Sequence, residues 1–401
     1  MKNNRPLRIC MIGHKTFPKG AVRQLRHCLS LMRYGHEIDI IALQNEKELL
    51  EETYMEARIL RIPLQKDRSS RFHYIYCYFK SLLSMSITLA REFLNRKYDI
   101  IYIFTLPDFM IFAGMFPKFL GARIVADHLD PMPELYQTKY NGDIGLPYQM
   151  LKLSEKLSMK IPDGIITQNH CYRELLMQRG VNPKKIQVLH NAPDPLFWGK
   201  PRSPEWQIAP NQPIKLMFHG TITQRSGLAE AIKAVSGLRD KGIDVRLRIV
   251  GSGDYDASVK MLINDLKLWN IIEWFGLRSP NEIPGLIEEV DIGLVPNQSS
   301  PFSALNLPNR VLEYLWMGKA VITSRNKGVE RYFPEDSVFY VAPNEPKSIE
   351  NMIVQVIQDK TKQDVCKIIE KGQRICNTLT WANEEKVMIN FTTAKERSIV
   401  H

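Results

Sequence analysis

Four short segments put charged or flexible residues where backbone groups should be free to meet a ligand. In HGTITQRSGLAEAIKA (residues 219–234) a strand ends at Phe218 and His219, a polar loop holds Gly220, Thr221 and Arg225, and Gly227 opens a helix. A guanidinium beside a helix N-terminus suits a diphosphate, because its fork donates two hydrogen bonds and the helix dipole adds partial positive charge. In NLPNRVLEYLWMGKAVITS (306–324) Glu313 falls among Val311, Leu312, Leu315 and Trp316. An acid there is costly without a hydrogen-bonded partner, and a ligand hydroxyl would supply one. ADHLDPMPELY (126–136) gathers Asp127, His128, Asp130 and Glu134 after a strand, where they could grip hydroxyls or move protons. Lys19-Gly20-Ala21 follows the first strand, and Gly20 would let backbone approach an anion at the next helix start. Each segment also has a plainer reading: a surface cation, an acid on an exposed helix edge, turn carboxylates, a tight turn.

The elements that must position these residues alternate along the whole chain. Apolar runs at 8–13, 37–43, 58–63, 99–104, 122–127, 164–169 and 185–191 read as strands covered on both faces. Between them lie helical stretches such as 21–35, with Leu25, Cys28, Leu29 and Met32 on one stripe. A Pro-rich segment without periodicity, 199–213, reads as an interdomain connection. A second series follows, with strands at 215–220, 245–251, 272–276, 291–296, 320–324 and 337–342. The fold class is α/β with two doubly wound domains in tandem, at 1–198 and 214–379, and a last helix at 380–401 that could cross back to the first. Ligands of such sheets bind outside the carboxyl ends of the strands.

Several function classes lose ground. MIGHKTFPKG and GSGD lack the GxGxxG of a dinucleotide site, and no GxxxxGK[ST] occurs. The six cysteines form no CxxC pair and the nine histidines no metal spacing, so no metal or resident cofactor is expected. The net charge of +11 is concentrated early: 29 Lys/Arg against 19 Asp/Glu in residues 1–200 (+10), and 25 against 24 thereafter (+1). That suggests an anionic partner for the first half. Residues 68–97 mix cations with Phe72, Tyr74, Tyr76, Tyr78 and Phe79, a composition suited to an anionic bilayer interface, or else to aromatic packing inside the domain. Residues 100–117 are apolar but interrupted by Pro107 and Asp108, so a strand and a buried helix fit better than a membrane span. The apolar run at the start is short and meets His14 and Lys15, which predicts a cytoplasmic chain. Nucleic-acid motifs are lacking, so no nucleic-acid partner is expected.

Taken together, MIGHKTFPKG, PDFMIFAGMFPKFLGARIVADHLDPMPELY, KIQVLHNAPDPLF, FHGTITQRSGLAEAIKAV, RIVGSGD and LPNRVLEYLWMGKAVITS resemble the retaining, glycogen-synthase-like glycosyltransferases of family four, over nearly the whole chain and in order. The resemblance implies the GT-B fold, two Rossmann-like domains facing across a cleft. It implies a nucleotide-sugar donor, most simply a UDP-sugar, on the second domain and the acceptor mostly on the first. Arg225 matches the cation that holds the diphosphate, Glu313 the ribose-binding acid, Leu277 and Arg278 the base-contacting backbone, and Gly20 the first-domain loop beside the phosphates. Gly220 and Thr221 belong to the phosphate loop, and Leu307, Pro308 and Asn309 to the loop that meets the sugar.

Departures from the family pattern are specific. The first of its paired glutamates is Leu305 here, so the sugar must be held differently, through backbone amides of the loop from Ser303 to Asn309. The family's His-Asp pair falls on Leu129 and Asp130, with His128 one place early; Asp130 and His128 are the catalytic candidates beside Arg225. The lysine before the loop glycine is Ser226, with Arg225 adjacent. By this resemblance the protein assembles cell-surface polysaccharide on a glycan or lipid-linked acceptor, and the cationic, aromatic composition of residues 68–97 would set it peripherally at the inner face of the membrane. A noncatalytic sugar-nucleotide sensor or partner subunit is the alternative that Leu305 keeps open.

Overall fold

A computed structural model of the chain describes residues 5–18, 20–46, 48–64, 71–140, 142–206, 212–359 and 361–394. Lys19 and the start of the cationic segment at Arg68 lie outside the described residues, as do the side chains of Phe72 and Tyr74. The chain divides into two units, Met1–His190 with Glu384–His401, and Asn191–Asn383.

The first unit is built on eight strands: β1 (Arg8–Thr16), β2 (Glu37–Leu43), β3 (Glu51–Tyr54), β4 (Ala57–Ile62), β5 (Ile100–Thr105), β6 (Arg123–His128), β7 (Gly164–Thr167) and β8 (Ile186–Val188). They are ordered β3-β4-β2-β1-β5-β6-β7-β8. Every pair is parallel except β3 with β4. All six residues of β5 are buried, as a strand covered on both faces requires. The apolar stretch that follows it becomes a 3₁₀ turn, Asp108–Gly114, and a short helix, Met115–Phe119. The helix Arg71–Arg96 buries Met85, Leu89 and Phe93 against the sheet. No described helix is long and apolar enough to cross a membrane.

The second unit has six parallel strands: β9 (Ile214–His219), β10 (Val245–Val250), β11 (Ile272–Gly276), β12 (Ile292–Val295), β13 (Ala320–Ser324) and β14 (Phe339–Val341). Their order, β11-β10-β9-β12-β13-β14, reverses between β9 and β12. A crevice opens at such a reversal, because the loops leaving the two strands turn to opposite faces.

The expected connection at 199–213 is no free linker over its described part. Trp316 donates to the Gly199 carbonyl at 3.3 Å, Arg202 N to the Trp316 carbonyl at 2.9 Å, and Trp206 is buried in the second unit's core. Ala192 and Trp198, placed with the first domain by the sequence, also pack in the second unit, so the boundary falls earlier. The last helix, Trp381–Thr393, rejoins the first unit from Glu384 onward. Glu384 accepts from His190 Nδ1 at 2.6 Å, and Arg123 donates to the Phe391 carbonyl at 3.2 Å.

Candidate functional site

The second unit places its polar residues at the β9/β12 reversal. β9 ends at the buried His219, and Gly220 follows with φ of 116°. A 3₁₀ turn, Gln224–Ser226, leads to Gly227 in the left-handed region and then the helix Leu228–Asp240. No side chain caps this helix start, so its first amides stay open to a ligand. Gly227 cannot be replaced: a Cβ there would lie 1.7 Å from the Pro296 carbonyl oxygen, at φ of 71°. Gly227→Ala is therefore expected to lower the melting temperature by several degrees, measured by calorimetry, through forced separation of the two loops.

Arg225 lies over the Phe302 ring, 5.0 Å from its centroid, and forms no ion pair among the described residues. Ser226, at the position of the family's lysine, donates to the Thr223 carbonyl at 2.6 Å and holds the turn. A second guanidinium, which the sequence did not single out, comes from the first turn of the helix Asn309–Trp316. Arg310 donates to the His219 carbonyl at 3.1 Å and to Asn297 Oδ1 at 2.8 Å, and its guanidinium stacks on Phe218 at 4.5 Å. Its aliphatic stem borders Gly220, so a Cβ on that glycine would lie 3.7 Å from Arg310 Cδ. Burial, then the cation of nearby Arg225, push its pKa down, while Tyr314 and Glu313 oppose this. Two neighbouring guanidiniums without a carboxylate ion pair between them form a site that an anion would stabilise.

Glu313 lies one turn beyond Arg310. Tyr314 Oη donates to the Met217 carbonyl at 2.8 Å and lies 2.8 Å from His219 Nδ1. His219 Nε2 in turn donates to Glu313 Oε2 at 2.6 Å. The partner that the apolar surroundings demand of Glu313 is thus His219 for one carboxylate oxygen, and Oε1 remains for a ligand hydroxyl.

The remaining second-unit candidates are spread out. Leu277, 80% exposed, and Arg278, 3.7 Å from Glu282, follow the edge strand β11. Leu307 and Pro308 are buried and Leu307 packs in the core, so they shape the loop and do not offer side chains to a ligand. Thr221 is exposed and Asn309 half-buried. Gly251 meets Gly220 so closely that a Cβ would lie 1.9 Å from the Gly220 carbonyl oxygen. The GSGD segment thus closes loop on loop.

In the first unit, Gly20 borders a cavity of about 480 Å³ with Lys15, Thr16, Gln44 and Asn45 at the carboxyl ends of β1 and β2. Strand alternation separates the next pair. Asp127 points to one face of β6, where Arg23 binds it at 2.8 and 3.2 Å, and His128 points to the other. His128 has no exposed surface and sits 3.8 Å from Asp108 and 3.9 Å from Glu155, so the expected catalytic role does not match its placement. Asp130, half-buried in the following loop, is the more accessible of the two. The Asp108, His128 and Glu155 ligand atoms lie within 4.8 Å of one another, the one such group among the described residues. Arg179 donates to both Glu155 oxygens at 2.6 Å, which sets a fixed positive charge where a cation would bind.

Burial, then Arg179, push the His128 pKa down to about 4, while burial, then Glu155, push Asp108 up. A histidine kept neutral by the fold stabilises it fully above its ordinary value of 6.5, and that contribution is lost as pH falls towards 4. The expected loss is about 3 kcal/mol. Thermal melts from pH 7 to 4 should therefore fall less steeply for His128→Asn than for the native chain.

The two doubly wound sheets, with anion-seeking groups at a strand reversal in the second, give the chain the GT-B architecture. Residues 201–374 match the family described as Glycosyl transferases group 1, and residues 20–195 match Glycosyltransferase Family 4. The chain belongs to this glycosyltransferase family, one match falling in each half. Among curated relatives it is 23% identical over 225 residues to the putative colanic acid biosynthesis glycosyltransferase WcaL of Escherichia coli, covering 56% of this chain and 49% of that one. It is 26% identical over 222 residues to the amylovoran biosynthesis glycosyltransferase AmsK of Erwinia amylovora, covering 55% and 48%. The chain thus spans about half the length of these relatives. Among solved structures, sucrose-phosphate synthase of Thermosynechococcus elongatus superposes with a TM-score of 0.74 at 14% identity, over 96% of this chain and 98% of that one. Anabaena Alr3699/HepE in complex with UDP-glucose superposes with 0.70 at 16%, over 96% and 98%. Both share the fold.

Proposed function

We propose that the protein is a retaining glycosyltransferase that moves a sugar, a hexose by preference, from a UDP-sugar to a hydroxyl of a glycan or lipid-linked acceptor, in cytoplasmic assembly of cell-surface polysaccharide. The observation that carries this reading is the Arg225–Arg310 pair beside an uncapped helix start, with Glu313 Oε1 open nearby. In the reaction the bond from the sugar C1 to the β-phosphate oxygen breaks while the acceptor oxygen bonds to C1 from the same face. The acceptor proton passes to a phosphate oxygen, and UDP departs. Charge grows on the diphosphate as the bond loosens, and guanidiniums and amides fixed there lower the barrier. A pair of hydrolase-style carboxylates is not needed. Glu313 holds the ribose, and the loop from Ser303 to Asn309 meets the sugar.

The names of the relatives support the pathway, and the UDP-glucose complex of Alr3699/HepE supports the nucleotide. The test is a thermal-shift screen of nucleotide sugars followed by product analysis, because a ligand specific to the native state raises its melting temperature. A shift with UDP-sugars and a product of unchanged anomeric configuration is expected. A shift without turnover by the purified chain would favour the noncatalytic sugar-nucleotide binder to which Leu305 points.

A further inference from the structure

The first unit carries an apolar face that no described part of the chain covers. On the helix Arg71–Arg96, Tyr76, Phe79, Leu83, Ile87 and Leu94 recur on the stripe opposite the buried Met85, Leu89 and Phe93, and all five are exposed. Solvent-facing stripes of soluble helices are ordinarily polar. The turn Asp108–Gly114 packs against this helix and against the helix Leu146–Ser158, so the three adjoin in one layer. Phe112 of the turn and Phe116, Phe119 and Leu120 just beyond it are also exposed, Phe119 by 80%. On the second helix the pattern repeats: Leu146, Met150, Leu153 and Leu157 fall at helical spacing and are all exposed.

The charges of this layer indicate what would cover it. The two helices and the turn hold one acid each, and all three point inward. Glu92 pairs with Arg58 at 2.7 Å, Glu155 with Arg179 at 2.6 Å, and Asp108 is buried. The exposed cations Lys80, Arg91, Lys152, Lys156 and Lys160 form no ion pair among the described residues. Apolar side chains rimmed by uncompensated cations, without an outward acid, complement an anionic lipid surface: the rings and aliphatic chains enter the headgroup boundary and the cations meet phosphates. A second copy of the chain would bring like charges together.

The geometry points to this three-element face as the surface by which the protein docks on an anionic bilayer. It deepens the acceptor side of the proposed function, since a lipid-linked acceptor lies in that plane. Its readout is lipid binding, so it can fail independently of sugar transfer.

Flotation of the full chain with phosphatidylcholine vesicles, and with vesicles that also contain phosphatidylglycerol, tests it. Binding to the anionic vesicles is expected, weakening with salt. Each neutralised lysine, as in Lys152→Gln or Lys156→Gln, should lower the partition coefficient about five-fold. Phe119→Ser with Leu153→Ser should abolish binding while the melting temperature holds, because both side chains already face solvent. Equal partition into neutral vesicles, no partition into either, or a dimer in light scattering that Phe119→Ser dissociates would each overturn the inference. A UDP thermal shift in the same samples separates the two readings: a shift without lipid binding removes the docking face alone, and lipid binding without a shift removes the donor site alone.

Discussion

Arg310→Ala is expected to lower kcat by about one to three decades, the loss typical of removing a fixed group that stabilises developing charge. Arg225→Ala should fall in the same range. The pair acts on one leaving group, so the double variant should lose less than the product of the two single losses. Arg310 lends itself to a finer test. Its fork is spent on the His219 carbonyl and Asn297 Oδ1, which orient its remaining donors. A lysine has neither the planar fork nor the stacking surface for Phe218, so Arg310→Lys should recover little activity. Steady-state rates with a UDP-sugar decide the matter, and turnover near normal in Arg310→Ala would remove this residue from the site.

The second large effect concerns Glu313. Glu313→Ala removes the ribose contact and also leaves His219 Nε2 without its acceptor, in a position that is nearly closed to water. Donor affinity should drop roughly ten- to a hundred-fold, in line with loss of a hydrogen bond to a charged group. Glu313→Gln keeps an oxygen for His219 and should lose less. Isothermal calorimetry with UDP distinguishes these outcomes from a surface role, in which neither change matters.

Most of the framework was legible because strands covered on both faces leave unmistakable apolar runs. Each run singled out in the sequence corresponds to a strand. The exception is β3, a polar strand at the sheet edge joined to β4 through Met55 and Glu56 at φ of 46° and 75°. Edge strands need no apolar face, and a hairpin turn without Gly or Asn gives no signal.

The site was legible to the extent that local sequence determines it. Arg225 precedes a glycine whose role is steric, and Glu313 interrupts an apolar run. Arg310 was missed because an arginine in an amphipathic helix looks like an ordinary surface cation. Its signal was the spacing to Glu313, three residues on, which sets both on one helix face. The bond from His219 to Glu313 joins residues 94 positions apart, beyond any local pattern. For His128 the strand period was the neglected clue: alternation sends it and Asp127 to opposite faces, into two separate polar clusters. The aromatic-cationic segment proved divided, with Tyr78 ring-stacked near His14 at 4.8 Å while Tyr76 and Phe79 face outward.

The central claim is that two arginines at the β9/β12 reversal receive the diphosphate of a sugar nucleotide. Calorimetric comparison of UDP with uridine, on the native chain and on the Arg225→Ala, Arg310→Ala double variant, tests it most directly. The account predicts much tighter binding of UDP than of uridine by the native chain, and collapse of that difference in the double variant with uridine affinity retained. Equal affinities for UDP and uridine in the native chain, or an undiminished preference for UDP in the double variant, would contradict it.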